Sequence, residues 1–272
     1  MIEEFYATRK AESRKKILSE IDLLPKIPHA GQQIDMALFG LKTYRNNIKD
    51  MSKEYFHSKE LSNITFTPAT TAESISAAAY RFADFAKPKI FDPRWLQAGW
   101  IVEISEGFFA NPPIDRWGNH ITNEKTLKSF LKSDRKVNGI YLLDNDFGFA
   151  SYKTFNRGTQ DCDTFARGGL ARILEHTREK EAKQLKAIAS PKLYKIGVNV
   201  LGFDDVKDST LRVVSLDSGM GLDDGRLLIE CYDWNDDNDG GAFGVLINLQ
   251  NEPEKSMLAY GYEKFHKEEN KK

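Results

Sequence analysis

The stretch Val213–Gln250, VVSLDSGMGLDDGRLLIECYDWNDDNDGGAFGVLINLQ, decides how this chain is read. Two apolar runs, Leu227-Leu228-Ile229 and Ala242-Phe243-Gly244-Val245-Leu246-Ile247, have the length and branched content of buried strands, with Gly, Asn and Asp as punctuation. Between and before them lie polar loops of narrow composition. Of the 25 residues Asp217–Gly241, 17 are Asp, Asn, Ser, Gly, Tyr or Cys. Eight are acidic (Asp217, Asp223, Asp224, Glu230, Asp233, Asp236, Asp237 and Asp239), against the single base Arg226. Like charges crowded on neighbouring loops repel. The composition therefore points either to a cation site or to a surface whose residues were not selected for stability.

The cation reading is tested by ligand spacing. Asp233-x-Asn235-x-Asp237 alternates oxygen ligands as a calcium loop does. Counted from Asp233, however, the sixth position is Asn238 and the twelfth Gly244, where such loops need Gly and a bidentate Glu. Counted from Asn235, Gly240 is sixth but Leu246 is twelfth. Trp234-Asn235-Asp236 spells the W-N-D of calcium-dependent lectins, yet the proline motif nearby, Glu252-Pro253-Glu254, follows it instead of preceding it. We assign neither a metal nor a cofactor.

The second reading starts from codons. Asn is encoded by AAY, and changing one or both adenines yields Asp, Ser, Gly, Tyr and Cys, the residues that fill this window, and never a stop. The arrangement RVVSLDS…GRLLIECYDWNDDNDGGAFGV, with the upstream segments WLQAGWIVEIS…GFFANPP and GIYLLDNDFGFASY, resembles the archaeal variable proteins of diversity-generating retroelements. Bacterial members of the wider group often end in G-F-R, where this chain has Ala242-Phe243-Gly244-Val245. The resemblance implies a C-type-lectin fold that presents diversified, hypervariable surface residues to a ligand, a protein or cell-surface molecule. It implies display by Asp217, Ser218, Asp223, Asp224, Cys231, Tyr232, Asp233, Asn235, Asp236, Asn238 and Asp239. Such residues supply adaptable hydrogen bonds and amphipathic contact area. Trp234 cannot arise from AAY by adenine changes alone and is assigned to packing.

Outward from this window, the 272 residues are 40% hydrophobic and 29% charged with a net charge of −1. That balance lacks the basic excess needed to coat nucleic acid. No apolar run is long enough to span a membrane, and the charged N-terminus lacks the apolar core of a signal peptide. Location is not otherwise legible. Cys162 and Cys231 are too few and too separated for a disulfide framework or a zinc ribbon.

The first third reads as helical. Phe5, Ile17, Leu18, Ile21 and Leu24 suit one face of a helix over residues 1–24, stopped by Pro25 and Pro28. Ile34, Leu38, Leu41, Ile48 and Met51 suit a second over 33–56, and a third starts near Thr71 with Glu73 at its positive end. Pro residues suggest a boundary at 87–92. Beyond it we expect a strand over 95–105, a long loop, a helix Glu124–Leu131 capped by Thr122, and a strand Val137–Leu143, with Phe147–Ala150 continuing the sheet or packing a loop. A long helix Asp161–Ala189 comes next, its HTREKEAKQLK run a solvated face. Four strands follow, over 196–203, 211–216, 227–232 and 242–249, with short connections that favour antiparallel pairing.

The expected fold is thus α+β: a helical N-terminal region (1–88), a C-type-lectin-like ligand-binding domain with a small antiparallel sheet (89–250), and a charged tail (251–272). Catalysis is not expected. The five histidines stand alone, hydrolase and nucleotide-binding motifs are missing, and Cys162 lies between Asp161 and Asp163, which disfavour a thiolate. The alternative is a metal-dependent, sugar-active enzyme using one of the D-x-D pairs Asp144/Asp146 or Asp161/Asp163.

Overall fold

A computed structural model describes residues 21–40, 48–49, 64–83, 95–131, 135–204, 206–218, 225–232 and 241–248. In chain order the elements begin with strands β1 (Ile21–His29), β2 (Gln32–Phe39) and β3 (Ile64–Pro68), and helix α1 (Thr71–Phe82). Next come β4 (Trp95–Ile104), β5 (Gly107–Ala110), α2 (Glu124–Ser129), β6 (Lys136–Val137), β7 (Ile140–Leu142), β8 (Gly148–Ser151) and β9 (Gly158–Gln160). Three short helices follow: α3 (Cys162–Arg167), α4 (Gly169–Leu174) and α5 (Lys183–Ile188). The last strands are β10 (Gly197–Leu201), β11 (Thr210–Asp217), β12 (Arg226–Tyr232) and β13 (Gly241–Asn248). The class is α+β, rich in sheet. The chain divides into two compact units, Met1–Pro68 with Asn238–Lys272, and Ala69–Asp237. The boundary expected at 87–92 and the charged tail lie outside the described residues.

The first unit corrects the helical reading of the N-terminal region. β1 and β2 form an antiparallel hairpin in which Leu24 faces Met36 and His29 faces Gln32. Both turn residues, Ala30 and Gly31, have positive φ (47° and 79°), the backbone a two-residue hairpin turn requires. Ile34 and Leu38 suit a helix stripe, but Ile34, Met36 and Leu38 alternate equally well, and strand pairing decides between the two periods. Pro25 is accommodated at a bulge between Leu24 and Ile27, where Lys26 takes φ 57° and donates its N–H to Asp35 Oδ1 at 2.9 Å. The order is β1-β2-β13-β3, antiparallel throughout. Its core sets Phe39 edge-on to Phe66 at 5.8 Å, with Met36 and Phe243 also buried. Gly244 lies in this core: a Cβ there would stand 2.9 Å from both Ile48 Cγ2 and Phe39 Cε2.

The second unit carries a nine-stranded sheet, larger than the small one expected, in the order β6-β7-β8-β5-β4-β11-β12-β10-β9. Every neighbouring pair is antiparallel except β10–β12, which are parallel because β10 skips β11. Residues 107–110, expected within a loop, form β5, whose Phe108 and Phe109 are both fully buried because each face of the sheet is covered. Phe109 packs with Phe147 and Phe149 at 5.8 and 4.8 Å, while Phe108 meets Phe155 and Phe203 at 6.0 and 5.4 Å. The strand expected over 137–143 is a tight hairpin turning at Asn138-Gly139, both at positive φ.

Helix α1 forms as expected, closed by a capping box in which Thr70 and Glu73 each accept the other's backbone N–H. Its small residues allow close approach to β4 and α5, and Ser76 donates to Gln184 Oε1 at 3.1 Å. The cap of α2 is Asn123, not Thr122. The single helix expected over 161–189 is α3, α4 and α5. Gly168 breaks it with extended backbone, and His176, at φ 50°, ends α4.

Candidate functional site

Strands β11 and β12 sit in mid-sheet, hydrogen-bonded on their outer sides to β4 and β10. Asp217 pairs with Leu228 and Val213 with Tyr232. The 218–225 connection therefore leaves one end of this hairpin, and the 233–240 segment leaves the other. Their roots are four rungs apart, about 13 Å at strand rise. Asp217 is half-buried, and Ser218 and Cys231 are 0% and 3% exposed, which departs from the exposure expected of display residues. Tyr232 ends β12. Asp223, Asp224, Asp233, Asn235, Asp236, Asn238 and Asp239, with Trp234, lie outside the described residues. The structure thus places the described display positions at the roots of two loops and does not bring those roots together.

At the hairpin lies a buried polar cluster drawn from five segments. Glu103 on β4 has no solvent exposure and is paired through Oε2 with Arg212 Nη1 on β11 at 2.7 Å. Arg212 also donates to the Gly202 carbonyl at 3.0 Å. Gly202 itself has φ 73°, and a Cβ there would strike the Cys231 carbonyl. The Tyr152 hydroxyl is 2.9 Å from both Glu103 Oε1 and the Asp204 carbonyl. One phenolic proton cannot serve both acceptors unless Glu103 is itself protonated. Burial pushes the Glu103 carboxyl above its usual range, against the opposing pull of Tyr152 and Arg212. Burial and the Glu103 charge hold the Cys231 thiol well above its ordinary value, so it is no nucleophile.

The D-x-D pairs have structural roles. Asp144 is exposed, meets Arg135 at 3.3 Å and accepts the Phe147 N–H in a turn. Asp146 points elsewhere: it accepts the Thr70 hydroxyl at 2.6 Å and lies 3.6 Å from His176 Nδ1. Asp161 caps α3, accepting the Thr164 N–H and hydroxyl at 2.8 and 2.6 Å, bonds that lower its pKa. Asp163 is 3.0 Å from Lys186. Neither pair converges on a common point.

Asp146 belongs to a second cluster that sequence reasoning missed. Asn111 accepts the Thr71 N–H at 2.9 Å and donates its amide to Thr71 Oγ1 and the Asp146 carbonyl, each at 3.0 Å. His176 Nε2 lies 3.3 Å from the Phe147 carbonyl, and burial lowers its pKa despite the opposing pull of Asp146. Asn111, Asn145, Asp146 and His176 all have positive φ, 50° to 58°. The available signal was Thr70-x-x-Glu73, which spells the capping box that anchors this knot. No protein-family model matches the chain, and neither a curated protein nor a solved structure matches it.

Proposed function

We propose that the chain is a ligand-binding protein, the variable product of a diversity-generating retroelement, displaying diversified loops on a C-type-lectin-like scaffold. The observation that carries this reading is the composition of the two segments flanking β12. Codon-accessible Asp, Asn, Ser and Gly crowd them, whereas β12 carries the apolar run Leu227–Ile229 and is paired on both sides. A strand held by two neighbours tolerates changes in its loops, as a display scaffold must. The partner is a protein or cell-surface molecule. Because the loop roots lie at opposite ends of the hairpin, the 218–225 connection and the 233–240 segment act as two patches, or as one only if the second folds back. The alternative reading, a metal-dependent enzyme using a D-x-D pair, has less support, since within each pair the two carboxylates engage different partners: Arg135 and Thr70 for Asp144 and Asp146, Thr164 and Lys186 for Asp161 and Asp163.

The decisive experiment is to sequence the DNA around the gene. A reverse-transcriptase gene and an imperfect repeat of codons 215–245, differing from them only at adenines, are expected nearby. A locus with neither overturns the reading.

A further inference from the structure

A cavity of about 250 Å³ opens between the turn after β8 and helix α3. Lys153 and Arg167 both line it, and no carboxylate does. The acids closest in sequence are engaged elsewhere: Asp161 caps α3, and Asp163 pairs with Lys186. Arg167 Nε donates to the Asp163 carbonyl at 3.1 Å, which steadies the guanidinium while leaving its terminal nitrogens without a carboxylate partner among the described residues. Two cations from segments 14 positions apart thus share one concave space, an arrangement suited to an anion, and Arg is the side chain best shaped for phosphate.

The hydroxyls on the lining sharpen the ligand class. Thr154 spends its proton on the Ser151 carbonyl at 2.6 Å, and Thr164 spends its own on Asp161 Oδ2 at 2.6 Å. Thr154 Oγ1 lies against Gly169, whereas Thr164 Oγ1 is left with acceptor capacity, which repels a fully ionised phosphate but receives hydroxyl protons. The Asn156 side-chain amide, which offers both functions, lines the same space. A volume below the usual 300–1,000 Å³ or so of drug-sized pockets limits the occupant to a small molecule.

We propose that this cavity binds a small phosphorylated polyol of the sugar-phosphate class, its phosphate held by Lys153 and Arg167 and its hydroxyls by Thr164 and Asn156. The site takes no residue from the β11–β12 loops and does not depend on their role.

Calorimetric titration of the full chain with ribose 5-phosphate, inorganic phosphate and ribose tests this. Saturable binding of ribose 5-phosphate, weaker binding of phosphate and none of ribose are expected. Lys153→Ala and Arg167→Ala should each weaken ribose 5-phosphate about tenfold or more. Asn156→Ala should narrow the gap between ribose 5-phosphate and phosphate. Arg135→Ala, which removes a cation that does not line the cavity, should leave binding unchanged. Melting curves of each variant should overlay the parent, since these side chains are surface-exposed. No saturation by about 10 mM ribose 5-phosphate overturns the proposal. So does equal weakening by Arg135→Ala and Arg167→Ala, which signals unspecific charge attraction. Equal affinity for phosphate and ribose 5-phosphate overturns the polyol assignment.

Discussion

In the cluster around Glu103, a guanidinium and a carboxylate meet inside the sheet. Around Asp146 and Asn111, the work is shared among several hydrogen bonds that tie loops to the start of α1. The first arrangement concentrates its energy in one pair, so removing either partner strands the other. The second spreads it over bonds worth about 1 kcal/mol each. Those bonds also offset left-handed backbone at four non-glycine positions, which costs about 1–2 kcal/mol apiece. The contrast separates two ways of burying polarity: a charged pair joins strands that are already antiparallel neighbours in the sheet, whereas a knot of separate hydrogen bonds fixes irregular backbone that no ladder holds.

The largest expected effect tests the charged cluster. Arg212→Ala leaves Glu103 buried without its cation and should cost about 3–5 kcal/mol in denaturant melts. The double replacement Glu103→Leu/Arg212→Met should recover most of that loss, because Tyr152 keeps the Asp204 carbonyl. If the double variant is as unstable as Arg212→Ala, the pair is not what makes the single change costly.

Glu175 sharpens the comparison as a buried carboxylate without a cation. Its Oε2 accepts the Gln184 and Leu185 N–H groups at 2.9 and 3.0 Å, yet burial raises its pKa to about 7. The folded protein thus holds a proton that the unfolded chain, near 4.5, releases. Stability from this group is full below pH 4.5 and lost as pH rises through about 7, on the order of 3 kcal/mol in all. Glu175→Gln should flatten that slope in melts between pH 5 and pH 8 or so. The adjacent His176 slopes the other way: its depressed pKa means stability falls as acid protonates it.

For the knot around Asp146, Asn111→Ala should cost about 2–3 kcal/mol, through lost bonds and a side chain ill-suited to φ 50°. Asn111→Gly removes the same bonds without the backbone penalty and should cost about 1 kcal/mol less. Equal losses would show that strain plays no part. The smallest effect belongs to Asp144→Ala, whose ion pair with Arg135 is exposed and should contribute less than about 1 kcal/mol.

The strands from β10 to β13 were legible within two residues or so, because branched apolar runs bounded by Gly, Asn and Asp leave little choice. Helix α1 was legible for the same local reason. Failures came where two periods fit equally, as at Ile34–Leu38, or where one residue breaks a long pattern, as Gly168 and His176 do between α3 and α5. The Asn138-Gly139 turn was hidden because apolar residues continue on both sides. Neither polar cluster was readable. Glu103, Tyr152, Arg212 and Cys231 meet only through the registers β4–β11 and β11–β12, which a linear sequence does not state.

The first unit draws its strands from both ends of the chain, and this bears on synthesis. Phe39 of β2 finds its rung at Ala242 of β13, more than 200 positions later. At about 5–20 residues per second, a ribosome leaves the β2 edge without that partner for roughly 10–40 s. The second unit, whose strands lie wholly between Ala69 and Asp237, has all its parts before β13 is made. An open strand edge during that interval invites pairing with other chains. β1 guards only one side of β2; its two prolines and bulge blunt the outer edge of the hairpin, leaving the inner edge for β13 to claim last.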